Sequence, residues 1–282
     1  MRSMKTLHVK GSATLLALAM LGTPALADRD QVRNGKSWSI QLQGDAHTLK
    51  KRNADVAVVD PDEVRNPNGI KTKANGGKRA VLAYISVGES EDYRADVKGK
   101  GKKSWATDHS NGWAGNRDVK YWDPDWKRIV KSRVRAAINA GYDGVYLDRI
   151  DSYERVKAPG GSRAEMIKFV KEIAAEARAN KGDAAVAVQN AEELLTDKSY
   201  VDTIDAIGKE DLYHGVHHDG RRNAADGVRW STNLLKKAKA QGKGVYVVEY
   251  VGGETASRVK DEAKKSGFVA STGKRALTEA TD

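Results

Sequence analysis

In the stretch GYDGVYLDRIDSYE, the apolar run Val145, Tyr146 and Leu147 stops at Asp148, and Asp151 follows three residues later. A strand-forming run that ends in carboxylates is how an α/β protein delivers acids from its core to a cleft at the sheet edge. The pattern recurs along the chain. Asp45 follows a first apolar run and Asp60 ends a second, while Tyr84, Ser86 and Glu89 mark the end of a third. Asn190 ends a fifth, Glu210 follows a sixth, and Glu249 with Tyr250 closes a seventh. A lone Asp at such an end is usually a turn former or a helix cap. Several converging ends are harder to explain that way. They supply paired carboxylates without histidine or cysteine among them, which is the equipment for glycoside hydrolysis: one carboxylate works ionised and another carries a proton. Neighbouring acids and partial burial are what separate the two pKa values.

Other chemistries fit the residues less well. The chain has no cysteine, which removes disulfides, thiol nucleophiles, zinc–thiolate sites and iron–sulfur clusters together. YISVGES lacks the first glycine of a nucleophile elbow, and no glycine-rich phosphate loop or dinucleotide fingerprint follows the first run. His214, His217, His218 and Asp219 have a spacing that a metal could use. They share one expected loop with no other histidine near it, so a solvated polar loop is preferred, and neither a metal nor a cofactor is expected. The formal charge is +11, with Lys and Arg dispersed and no basic motif interleaved with aromatics. Nucleic acid is therefore not an expected partner.

These acids need a scaffold, and the chain spells one out. β-Rich runs fall at 37–43, 55–60, 79–87, 144–148, 184–190, 203–207, 244–250 and 268–271, separated by segments of helical spacing. Asp123 and Pro124 read as an N-cap with proline in the first turn, ahead of Trp126, Ile129, Val130, Val134, Ala137 and Ile138 on one face. Ser162 and Glu165 read as a capping box before Met166, Phe169, Val170, Ile173 and Ala177. Weaker helical patterns cover about 227–241 and 255–265, each closed by a glycine. Eight strands alternating with helices predict an α/β fold, a single (β/α)8 TIM barrel over 37–277, with an open doubly wound sheet as the competitor.

The connection over about 88–123 is long for a structureless loop. It holds Trp105, Trp113 and Trp122, with Trp126 just inside the next helix. Two readings stand open: flat platforms for sugar rings, with Trp122 the candidate contact, or pins that hold the loop to the barrel.

The N-terminus carries Arg2, Lys5 and Lys10 ahead of an apolar stretch over 13–21 and then Ala25-Leu26-Ala27. That is the layout of a secretory signal peptide over 1–27, cleaved after Ala27, with 28–36 leading into the barrel. The apolar stretch is too short to span a membrane. A soluble, secreted or periplasmic monomer is expected, with no membrane contact after cleavage.

With these residues assembled, the chain resembles glycoside hydrolase family 114, the endo-α-1,4-polygalactosaminidase-like secreted barrels. SWSIQLQG, DVAVVDPDE, VLAYISVGESEDYR, YWDPDW, GYDGVYLDRIDSYE, VQNAEEL and DAIGKEDLYHG carry the resemblance in that order, from about Trp38 to Gly267. It implies a barrel that cuts α-linked galactosamine or N-acetylgalactosamine polysaccharide from within. By matching segments, it also implies Asp148 as nucleophile and Glu210 as acid/base, with Asp60, Tyr84, Glu89, Arg94, Asp151, Asn190 and Tyr250 along the sugar subsites. The family is similar to retaining enzymes, which implies the two carboxyl groups about 5–5.5 Å apart; a spacing of about 6.5–9.5 Å would mark inversion instead. The alternatives are a secreted glycan-binding barrel without turnover, or a hydrolase of a different exopolysaccharide.

Overall fold

The computed structural model describes residues 28–98, 103–110 and 114–282; the expected leader over 1–27 and Trp113 lie outside the described residues. Eight strands pair in parallel in the order β1, β2, β3, β7, β8, β9, β10, β11. They are β1 (Trp38–Gln41), β2 (Val56–Val59), β3 (Ala80–Ser86), β7 (Gly144–Asp148), β8 (Ala185–Gln189), β9 (Ala206–Glu210), β10 (Gly244–Glu249) and β11 (Val269–Thr272). Each falls on an expected apolar run, because strands buried on both faces read as continuous Val, Ile, Leu and Ala rather than as an alternation. The sixth is displaced. Asp197 caps a short helix, α4 (Lys198–Thr203), by accepting from the Tyr200 N–H at 3.0 Å, and this removes Thr203 from β9 and leaves Glu210 as the strand's last residue.

The sheet closes into a nearly complete barrel through the chain's last residues. Thr281 N–H donates to Ile40 O of β1 at 3.2 Å, and Asp282 exchanges two 2.8 Å backbone hydrogen bonds with Thr272 of β11. This seam excludes the open doubly wound sheet and makes the fold a TIM barrel. Helices α2 (Pro124–Asn139), α3 (Ser162–Asn180), α5 (Ala225–Ala240) and α6 (Gly253–Lys265) cover later crossovers. The first two crossovers carry only 3₁₀ turns, at Leu49–Lys51 and Pro67–Ile70. Asp123 caps α2 as its sequence predicts, accepting from Asp125 N–H at 2.8 Å. Ser162 does not cap α3. Gly161 takes the N-cap position with φ 100°, and Ser162 Oγ instead accepts from Ala158 N–H at 3.0 Å.

Side-chain parity divides the core. Along β7, Val145 and Leu147 point out to the helices, while Tyr146 points into the barrel with Trp38, Leu82, Ala187, Ala206 and Tyr246. The Trp38 ring packs 6.3 Å from Tyr146 and 5.4 Å from Tyr246, filling the interior with aromatic volume. Gly208 makes room for this layer, since a Cβ there would sit 1.9 Å from the Tyr146 hydroxyl. Across the N-terminal mouth lies α1 (Asp28–Asn34), with Arg29 and Arg33 on the fully buried Asp205 at 3.0 and 2.7 Å and Arg178 on its other oxygen at 3.0 Å. No helix among the described residues is long and apolar enough to cross a membrane.

The long connection after β3 is folded rather than loose. β4 (Glu89–Glu91), β6 (Asn116–Val119) and β5 (Ala106–Ser110) form a small antiparallel sheet in that order. Its described tryptophans support the second of the two readings. Trp105 and Trp126 are buried with ring centroids 4.9 Å apart, and the Trp126 indole N–H donates to Val87 O at 2.7 Å. Trp122 packs edge-on against Tyr121 and lines a groove between α2 and α3, outside the cleft at the barrel mouth. These rings pin the insertion to the barrel, and Trp122 is not placed to contact a ligand in that cleft.

Candidate active site

Parity selects which strand-end residues face the barrel mouth. Residues in register with Tyr146 and Tyr246 point inward, so the ends present Leu42, Asp60, Tyr84, Asp148, Gln189, Glu210 and Tyr250. These residues converge on a cavity of about 350 Å³ at the C-terminal face, walled on one side by the β4 segment and on the other by Arg275, Ala276 and Leu277. Glu249 has the opposite parity. It is fully buried behind the wall and accepts backbone N–H bonds from Tyr213 at 2.7 Å and His214 at 3.1 Å, with burial pushing it up to about 7. It is not part of the cleft.

Asp148 ends β7 on the cleft floor. The Tyr84 hydroxyl donates to its Oδ2 at 2.6 Å, and the Arg149 N–H donates to its Oδ1 at 2.7 Å. Burial pushes Asp148 up to about 6; the Tyr84 hydrogen bond opposes this and the Glu210 charge adds to it. Glu210 ends β9, with only β8 between the two strands. Its Oε1 accepts from the Tyr250 hydroxyl at 2.7 Å, its Oε2 from Gln189 Nε2 at 3.3 Å, and Arg275 Nη1 stands 3.7 Å from Oε1. Both tyrosines are raised well above the ordinary phenol range, first by burial and then by these carboxylates. They therefore keep their protons and act as fixed donors.

The backbone turns sharply where these side chains emerge. Arg149 follows Asp148 with φ 60°, Asn190 and Ala191 follow Gln189 with φ 57° and 55°, and Asp211 follows Glu210 with φ 53°. A left-handed non-glycine residue costs about 1 kcal/mol or more and persists where the surrounding structure over-determines it. Here it ends three adjacent strands at the level of the carboxylates. Asn190 completes its corner by accepting the Glu210 N–H on Oδ1 at 3.0 Å. Asn190 thus buttresses Glu210 as well as lining the cavity.

The remaining expected site residues divide. Asp60, Glu89 and Asp151 line the cavity. Glu89 accepts from Asn116 Nδ2 at 2.6 Å and lies 3.0 Å from Arg149 Nε; burial pushes it up to about 7 against the pull of Arg149, with Glu91 and Asp148 adding to the rise. Asp151 is paired with Arg155 at 3.3 Å. Arg94 is corrected. It is 7% exposed and stands behind the cleft wall, bidentate on Asp60 at 2.7 and 3.1 Å, on Asp62 at 2.9 Å and in contact with Glu91 through Nε. With its donors committed to carboxylates, it orders the wall and does not reach a ligand.

Sequence reasoning passed over Arg275, Glu91, Tyr93 and Arg149, all of which line the cavity. Gln189 lines it too, placed by parity two residues beyond Ala187. Arg275 had no signal, because it lies past the last strand. In the loop after β9, His217 and His218 are exposed and His214 Nδ1 is 3.8 Å from Glu249 Oε2. Among the described residues, no group of three or more His, Cys, Asp or Glu is arranged to hold a metal ion.

The model of glycoside-hydrolase family GH114 matches residues 22–281. An uncharacterised protein of Deinococcus radiodurans is 34% identical over 252 residues, covering 85% of this chain and 80% of its own length. An uncharacterised protein of Methanocaldococcus jannaschii is 34% identical over 253 residues, covering 81% and 72%. Among solved structures, the glycoside hydrolase domain of PelA from Pseudomonas aeruginosa superposes with TM-score 0.72 at 18% identity, over 87% of this chain and 97% of that one. Aspergillus fumigatus Ega3 in complex with galactosamine gives TM-score 0.70 at 20% identity, over 88% and 94%. At those identities the structural likeness speaks for the fold.

Proposed function

This chain belongs to glycoside-hydrolase family GH114, and from that premise we propose that it is an exported, endo-acting hydrolase of α-1,4-linked galactosamine or N-acetylgalactosamine polysaccharide. The observation that carries the proposal is the pair of inward carboxylates, Asp148 and Glu210, on strands separated only by β8, each held by a tyrosine hydroxyl. Residues 37–277, closed by the seam through Thr281 and Asp282, form its catalytic barrel, and the leader over 1–27 directs export as a monomer.

In this reading the reaction is a double displacement. Asp148, fixed by Tyr84 and the Arg149 N–H, attacks the anomeric carbon as Glu210 delivers a proton to the departing glycosidic oxygen. Glu210 then takes a proton from water, which hydrolyses the glycosyl-Asp148 ester with net retention. Six acids line the cavity (Asp60, Glu89, Glu91, Asp148, Asp151 and Glu210) against Arg149 and Arg275, with Arg94 and Arg155 paired behind Asp60, Glu91 and Asp151, which leaves a formal excess of two acids. A cleft lined by one sign of charge concentrates ligands of the other. That suits an amino sugar carrying an ammonium group, the class bound in the Ega3 complex, and it offsets the positive charge of the whole chain.

A second assignment of roles has its own support. Asp148 is the carboxyl raised to about 6, and Arg275 stands beside Glu210, so Asp148 could carry the proton and Glu210 attack. Two experiments decide. Release of reducing ends from galactosamine, N-acetylgalactosamine and glucosamine polymers should fall at least a hundredfold in Asp148→Asn and in Glu210→Gln; a folded variant that keeps its rate removes that residue from the mechanism. Azide added to Asp148→Gly acting on an activated α-glycoside should yield the β-glycosyl azide if Asp148 is the nucleophile, and the α-azide if it is the acid.

A further inference from the structure

The cleft has one side chain whose position the proposed chemistry does not use. Tyr93 is 55% exposed, one of few large apolar side chains so exposed among the described residues, and it stands on the cavity wall rather than on the outer surface. It is not loose. Its hydroxyl donates to Glu91 Oε1 and accepts from Arg94 Nη2 at 3.3 Å, and the Arg94 guanidinium lies 5.2 Å from the ring centroid. Arg94 is itself anchored on Asp60 of the adjoining strand end. The ring is thus backed by a buried cation and pinned at its tip, with half its surface left to water at the mouth of a charged cleft.

Its place in the barrel gives that exposed surface a direction. Tyr93 leans on the β2 side through Asp60, whereas Glu210, Tyr250 and Arg275 lie on the β9 to β11 side, with Asp148 between. Tyr250 offers less free surface, since it is part-buried with Arg275 over its ring at 4.2 Å. A galacto-configured pyranose has an axial O4, which leaves C3, C4, C5 and C6 as an apolar patch on one face. Such a patch stacks on an aromatic ring, and a ring already held in place loses little side-chain entropy on contact.

We propose that Tyr93 is a distal sugar-binding platform, stacking on a galacto-configured residue of the polymer removed from the bond that Asp148 and Glu210 cleave. This rests on the reading of the cleft as a polysaccharide hydrolase site. The platform favours chains long enough to reach it, which is the structural basis for attack within a polymer rather than on short fragments.

The test compares an α-1,4-galactosamine polymer with its trisaccharide. In Tyr93→Ala the polymer-over-trisaccharide preference in kcat/KM should fall about tenfold, equivalent to about 1.4 kcal/mol, and Tyr93→Phe, which keeps the ring, should retain most of the preference. An unchanged ratio in Tyr93→Ala overturns the proposal. So does an equal loss in Tyr93→Phe, which would assign the effect to the hydroxyl on Glu91. If the wild-type protein cleaves no polymer, the hydrolase reading fails separately, and the platform is judged by retardation of Asp148→Asn protein in gels containing the polymer. Retardation lost on adding Tyr93→Ala supports the platform; retardation kept, or never seen, overturns it.

Discussion

Removing the Tyr84 hydroxyl should move the pH at which the cleft works, by an amount the geometry bounds. In Tyr84→Phe the ring still fills its buried site, but Asp148 Oδ2 loses the donor at 2.6 Å. That bond favours the ionised carboxyl and works against the burial that pushes Asp148 up to about 6. Hydrogen bonds to charged groups contribute about 1.5–3 kcal/mol, and one pKa unit corresponds to about 1.4 kcal/mol, so Asp148 should rise by about one to two units. A nucleophilic Asp148 works ionised, and activity is lost as pH falls through its pKa. The acidic limb of kcat/KM should therefore move from about 6 to about 7–8. At pH 6 the variant then falls about 5- to 50-fold below the wild type, and the gap closes as pH rises. The assay is reducing-end release at sub-saturating polymer across pH, with thermal melts confirming the fold. A limb that stays in place or moves toward acid would refute the reasoning. If activity instead extends to higher pH in Tyr84→Phe, Asp148 works protonated and the roles of the two carboxylates are exchanged.

Three further outcomes follow from the same geometry. Because Asp148 is raised from 3.8 to about 6, it contributes stability that is fully present below pH 3.8 and lost as pH rises through 6. Asp148→Asn should consequently melt higher than wild type at pH 7, by up to about 3 kcal/mol less the value of the acceptor it loses, and the gain should vanish near pH 4; equal melting at both pH values would show that the carboxylate is not penalised by its site. Asp205→Ala leaves Arg29, Arg33 and Arg178 without their shared anion and should cost about 3–5 kcal/mol, read as a lower denaturation midpoint; a change under about 1 kcal/mol would mean that α1 is held by its apolar contacts alone. Gly208→Ala places a methyl against the Tyr146 hydroxyl and should cost about 1–3 kcal/mol together with activity, since Tyr146 lies beneath Asp148; an unperturbed melt would show that the aromatic layer can shift.

The barrel strands were legible because burial on both faces leaves a compositional trace that is local: a run such as Val145-Tyr146-Leu147 announces itself without knowledge of its neighbours. Asp148 was legible for the same reason, with parity built into five residues. Glu210 sat near a misplaced strand because the Asp197 cap, one hydrogen bond, decides whether Thr203 is helix or sheet. The role given to Arg94 failed for a different reason. Of its carboxylate partners only Glu91 lies in ESEDYR; Asp60 and Asp62, which hold its terminal nitrogens, are more than thirty positions away. Arg275 shows the same limit from the other side, since it reaches the cleft only because the tail folds back along the seam. Tryptophan content alone could not separate a ligand platform from a structural pin; the half-exposed ring in the cleft turned out to be a tyrosine.

The seam between β1 and β11 has a consequence for how the molecule opens. Thr281 and Asp282 hold both strands at once, through Ile40 O and Thr272, and Leu277 O receives the Leu42 and Gln43 N–H groups just below the cleft rim. Release of these few residues frees two edges in a single event, so the amides of β1 and β11 should exchange with deuterium as one unit, ahead of the β7 and β8 amides at the opposite side of the ring. Arg275, Ala276 and Leu277 belong to the same stretch and form one bank of the cavity. A sugar chain lying against that bank would slow exchange at the seam, linking the lifetime of the closed ring to occupancy of the groove.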